Sequence, residues 1–121
     1  MPSTFLIAPV RGYQPTYFRG IVADLESRGW NVYWPARDTD QIDPVGLNIC
    51  EAHRTAIEEA DCVHFIWDGA SQGCLFDLGM AFALRKTVHV ISVPARSVGK
   101  SFQNVALALD QSTTEPVASL P

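Results

Sequence analysis

Four short apolar runs alternate along this chain with segments of helical periodicity, and that alternation restricts the possible folds more than any other feature. The runs occupy residues 4–8, 31–34, 62–67 and 87–93. Three of them end directly at a proline, Pro9, Pro35 and Pro94, and proline cannot donate to a strand ladder. Residues 16–28 carry Phe18, Ile21, Val22 and Leu25 at helical spacing, and Gly29 supplies the stop. Asp43-Pro44 reads as an N-cap followed by proline at the first helical position. It leads into a helix over residues 47–60 with an inner stripe of Ile49, Ala52, His53, Ala56, Ile57 and Ala60. Further helices are expected over residues 73–85 and 101–110, and residues 36–42 read as a polar loop. Strands that are apolar throughout, each followed by a helix, make a parallel sheet covered on both faces. The expected fold is therefore α/β, with a parallel sheet of four to five strands. One domain over residues 1–110 and a mobile tail over 111–121 complete the expectation.

Size and charge narrow the function. For a mass of 13.3 kDa, area scaling gives roughly 6,500 Å² of folded surface against about 19,000 Å² for the extended chain. That is enough burial for one core without staples, and too little chain for a two-domain enzyme. Hydrophobic residues make up 47% and charged ones only 18%, which excludes disorder and hints that another subunit covers part of the surface. The net charge is −4 and the basic residues are scattered, so neither a nucleic-acid polymer nor an anionic membrane is an expected partner. Seven of the nine basic residues are arginine, the side chain suited to gripping a single phosphate. No apolar run is long enough to cross a membrane and no basic, apolar leader is visible, so a cytoplasmic location is expected. Cys50, Cys62 and Cys74 read as reduced thiols. No His or Cys pair has ligand spacing, so neither a metal nor another cofactor is expected.

In parallel sheets, ligands sit beyond the carboxyl ends of the strands. The segments following the strands single out Pro9, Arg11, Gly12, Asp38, Asp68, Ser71 and Gly73 as candidate substrate contacts. Gly12 lets backbone approach a ligand closely, and Arg11 offers a forked donor to phosphate. Asp77 is the only charge in residues 74–84, a segment apolar almost all round. A buried carboxylate needs a partner or a purpose, and the start of a helix favours its ionised form. Asp77 is thus a candidate nucleophile. His53 lies on the inner stripe of its helix, where it is either a satisfied core residue or a proton carrier. His64 and His89 fall inside strands as possible cross-strand neighbours. Gly69-Ala-Ser71-Gln-Gly73 fits the G-x-S-x-G pattern of hydrolases, but Ser71 stands four residues past the strand and His89 lies within one. A serine hydrolase is therefore not expected.

The segments FLIAPVRG, YWPARD, EEAD and GCLFDLGMAFALRKTVHVIS together resemble the nucleoside 2-deoxyribosyltransferase family over roughly residues 4–93. The resemblance implies a flavodoxin-like (Rossmann-like) fold and dimers or larger homo-oligomers assembled through helices, here the one over residues 73–85. It implies cleavage of the N-glycosidic bond of a nucleoside or nucleoside 5′-monophosphate, with the sugar passed to another base or to water. Arg11-Gly12 resembles the nucleotide N-hydrolase branch, in which that loop contacts sugar and phosphate. The family's catalytic Glu maps to Asp77, as nucleophile in a reaction like retaining glycoside hydrolysis. The family's helical Asp maps to His53, which can protonate a leaving base near neutral pH. Its first-strand Tyr maps to Phe5, a candidate substrate contact without the hydroxyl. A catalytically weak nucleotide-binding or sensing module on the same fold is the alternative.

Overall fold

A computed structural model describes residues 1–10 and 14–111. The apolar runs form β1 (Ser3–Ile7), β2 (Asn31–Tyr33), β3 (Cys62–Ile66) and β4 (Thr87–Ser92). All pair in parallel, in the order β2-β1-β3-β4. Helix α1 (Pro15–Ser27) carries the chain from β1 to β2, α2 (Pro35–Asp38) and α3 (Leu47–Glu59) carry it to β3, and α4 (Gln72–Ala83) carries it to β4. Helix α5 (Phe102–Leu109) follows. This is the α/β architecture that the alternating pattern predicts, with helices on both faces of a four-stranded sheet.

Successive strand residues point to opposite faces, so each strand feeds two cores. Phe5 and Ile7 pack with Ile57 of α3, Leu78 and Ala81 of α4, and Ala106 of α5. Leu6 and Ile66 pack on the other face with Phe18, Val22 and Leu25 of α1. Strand β3 is buried at every position, which is why it reads as an uninterrupted apolar run. His64 and His89 are indeed register partners on β3 and β4, with their rings stacked at 4.9 Å. The connection from β1 leads outward to β2, whereas that from β3 leads the opposite way to β4. The carboxyl ends of β1 and β3 therefore form a topological switch point, where ligands bind in open α/β sheets.

Three local features differ from the sequence expectation. Residues 36–42 do not form a loop throughout, because Pro35 opens the short helix α2 and the Asp38 carboxylate accepts a hydrogen bond from the Trp34 N–H at 2.8 Å. The residue capping α3 is Gly46, in the left-handed region at φ +91, rather than Asp43. Asp43 still does the chemical work of a cap, since its carboxylate accepts from the Ile49 N–H at 3.1 Å. Helix α4 spans Gln72–Ala83, ending before Arg85, which adopts φ +57. Beyond α5 the chain touches the β4 edge through one parallel bridge between Val88 and Asp110. Apart from Gln111, the expected tail lies outside the described residues.

Candidate active site

Asp77 and His53 meet where α4 crosses α3. Asp77 lies on the inward side of α4, with Cys74, Leu78 and Ala81 as its buried neighbours on the helix. His53 lies on the inward side of α3 with Ile57. Each is only 7% exposed. His53 Nδ1 stands 3.1 Å from Asp77 Oδ1 and 3.2 Å from Oδ2, so a single ring nitrogen serves both carboxylate oxygens. The other ring nitrogen, Nε2, is buried and makes no hydrogen bond to any described residue. Burying such an atom costs roughly 1–3 kcal/mol. Phe5 backs the pair, its ring edge-on to His53 at 5.3 Å and stacked on Tyr33 at 5.2 Å. Tyr33 is fixed in turn by a 2.6 Å hydrogen bond between its hydroxyl and that of Thr39.

The partner of Asp77 is not the one expected from helix geometry. Helix α4 begins at Gln72, so Asp77 sits in its second turn, beyond the free N–H groups and the first-turn influence of the dipole. The imidazole of His53 takes their place.

A family model for nucleoside 2-deoxyribosyltransferase matches residues 5–111. The chain belongs to that family. Among solved structures it is similar to a CMP N-glycosidase of Clostridium botulinum, with a TM-score of 0.63, 18% identity, and coverage of 89% of this chain and 82% of that one. It is also similar to a 2-deoxyribosyltransferase from Leishmania mexicana, with a TM-score of 0.61, 20% identity, and coverage of 79% and 67%. A third is the 2-deoxyribosyltransferase of Bacillus psychrosaccharolyticus, with a TM-score of 0.59, 15% identity, and coverage of 89% and 96%. At these identities the likeness carries the fold. No curated protein matches the sequence.

The remaining deoxyribosyltransferase-like positions divide into groups. Arg11 and Gly12 lie outside the described residues. Pro9 is buried just beyond β1. Asp68 and Ser71 build the loop between β3 and α4. The Asp68 carboxylate accepts from the N–H groups of Ala70 and Ser71 at 2.9 and 2.8 Å. Burial works to raise the pKa of Asp68, but the backbone donors of Ala70, Ser71 and Asp68 itself outweigh it and hold the carboxyl below its ordinary range. Ser71 is the N-cap of α4, its hydroxyl accepting from the Cys74 N–H at 3.3 Å. Gly69 in the same loop has φ +85, and a Cβ there would meet Pro94 at 3.1 Å, so this loop closes tightly on the segment after β4. Gly73 is exposed in the first turn of α4. Burial pushes the Cys74 thiol up to about 12, which leaves it inert as a nucleophile. Asp38 bonds the Trp34 N–H and the Arg37 guanidinium, away from the His53–Asp77 pair.

A cavity of about 860 Å³ opens on the other flank of α3, lined by Thr4, Asn31, Tyr33, Arg37, Asp38 and Glu51 among others. Neither His53 nor Asp77 lines it. Arg37, the only cation among its described lining residues, is already held by Asp38, Glu26 and the Val32 carbonyl. Tyr33, stacked on Phe5 behind the pair, is a residue that the sequence reading passes over. Its signal is its place on β2 in register with Phe5, on the same face. Among the described residues there is no group of three or more potential metal ligands, and no helix long and apolar enough to cross a membrane.

Proposed function

We propose that this chain cleaves the N-glycosidic bond of a nucleoside or nucleoside 5′-monophosphate, with Asp77 and His53 as its reacting pair. The observation that carries this reading is the contact itself. The one charge of an apolar helix is buried at the switch-point side of the sheet and held by a group able to move a proton near neutral pH. The family resemblance gives Asp77 the role of nucleophile and His53 that of acid. Arg11, on the loop following β1, is proposed to hold the 5′-phosphate of a monophosphate substrate. Asp38, Asp68, Ser71 and Gly73 are proposed as substrate contacts. A second copy of the chain, packed on the outer face of α4, is proposed to supply one wall of the site, since the cavity beside α3 is not lined by the pair.

That same observation favours one further reading, a nucleotide-binding or sensing module in which the pair only positions a ligand. Incubation with a panel of ribo- and deoxyribonucleosides and their 5′-monophosphates, followed by chromatography for free base, separates the two. Base release that falls about 100-fold or more in Asp77→Asn supports the enzyme. Strong thermal stabilisation by a nucleotide with no base released assigns the chain to sensing instead.

A further inference from the structure

We propose that the cavity beside α3 is a docking trough for a basic amphipathic helix of a partner protein. It stands apart from the reaction proposed above, since neither His53 nor Asp77 lines it.

The trough follows from how the sheet is covered. On the face shared by Phe5 and Tyr33, α3 packs over β1, α4 over β1 and β3, and α5 over β4. The edge strand β2 is followed instead by the four-residue helix α2, which is too short to cover it. The strand residues Ser3, Asn31 and Tyr33 line the trough from the sheet, and one flank of α3 forms a wall. Arg37 and Asp38 of α2 complete the lining.

Dimensions match a helix. The wall runs from Glu51 to Glu59, about 12 Å at the helical rise and just over two turns. A helix of that length and roughly 10 Å diameter fills about 900 Å³, and the trough measures about 860 Å³. Ala52, Ala56 and Ala60 recur every fourth residue along the wall. Small side chains on such a ridge let a second helix approach closely. An amphipathic helix laid in a groove is a recurring mode of recognition.

Charge selects the partner. Glu51 and Glu59 are exposed, stand two turns apart beside the alanines, and have no ion pair among the described residues. Arg37 is taken up by Asp38, Glu26 and the Val32 carbonyl. The wall therefore presents uncompensated negative charge. Lysine or arginine seven or eight residues apart lies on one face of an incoming helix and meets both glutamates. A second copy of this chain fits less well. Its net charge is −4, and α3 packed on α3 would set these glutamates against like charges.

A display library of randomised 18-residue helices, selected on the wild-type chain and counter-selected on Ala52→Trp, tests the assignment. Ala52 is exposed, so tryptophan there fills the trough from its wall, with the fold checked by circular dichroism. The expected consensus places basic residues seven or eight apart beside a small or apolar stripe. A synthetic peptide of that consensus is expected to bind the wild type and to weaken as salt is raised. Its affinity for Glu51→Lys combined with Glu59→Lys is expected to be at least about tenfold lower. Amide NMR shifts on binding are expected at Tyr33, Thr55 and Ala56, and a proline-interrupted version of the peptide is expected not to bind. Enrichment of no helix over the counter-selection, a consensus without basic residues, or equal binding of the interrupted peptide overturns the proposal. Wild-type self-association that Ala52→Trp abolishes overturns it as well, by giving the trough to a second copy.

Discussion

Asp68 shows what a single carboxylate can do within its own loop. It draws two backbone N–H groups into the turn that delivers Ser71 to the cap of α4. Because its folded pKa lies below the ordinary 3.8, its charge stabilises the fold fully above that value. The contribution is lost as pH falls through the lower, folded pKa. Asp68→Asn keeps an oxygen for the same hydrogen bonds but removes the charge. The wild type is therefore expected to melt higher than Asp68→Asn at neutral pH, with a gap that closes as the pH falls below 3.8. A gap in Tm that stays constant down the acid limb would show that the charge contributes nothing. Asp77 and His53 were visible in the sequence for a related reason, each being a polar side chain on an apolar stripe. Their contact was not. It joins residues 24 apart and exists only because α3 and α4 pack side by side on β1 and β3. The role of Tyr33 behind Phe5 was hidden similarly, since it depends on strand register.

Elements with strong periodicity were legible, and those decided by a few backbone hydrogen bonds were not. The four strands and the helices α1, α3, α4 and α5 follow from apolar spacing. Helix α2 has only four residues, too short for any period, and it exists because Pro35 presets φ and Asp38 satisfies the Trp34 N–H. Asp43 was recognised as the cap of α3 by residue type, yet Gly46 occupies the cap position because its left-handed backbone turns the chain into the helix. At the other end of α3, Lys86 closes the helix from a distance. Its Nζ donates to the carbonyls of Glu58 at 2.9 Å and Ala60 at 2.7 Å. A cation at a helix C-terminus also opposes the partial negative charge there. Lys86→Met preserves most of the stem and removes both bonds, so it is expected to cost roughly 1–2 kcal/mol. Thermal melting should register a drop of several degrees, and an unchanged Tm would show the two bonds to be replaced by water at no cost. His53 sits a turn and a half upstream on the same helix, so activity should fall less than stability.

At the scale of the whole molecule, the low charge content has a definite location. Every outward residue of α4 is uncharged, and Phe76 and Phe82 stand 57% and 61% exposed on it. Gly79 lies between them, and a Cβ built there would touch nothing within 4 Å among the described residues. A mid-helix glycine costs roughly 0.5–1 kcal/mol against alanine, and no neighbour among the described residues accounts for it. The proposed second copy, its α4 crossing at Gly79, would account for it, because the missing side chain lets two helices approach closely. Such a contact is self-complementary about a two-fold axis, with each Phe76 and Phe82 packing on the partner helix. It would also cover the two turns of α4 that carry Asp77 on their inward side. Sedimentation of the wild type at micromolar concentration is expected to give twice the 13.3 kDa chain mass. Phe76→Glu combined with Phe82→Glu is expected to return the single-chain mass with the fold intact by circular dichroism. Base release should fall with it, because the proposed second copy supplies one wall of the site. A wild type that sediments at 13.3 kDa, or a monomeric double variant with full activity, would leave α4 an exposed helix and the site complete within one chain.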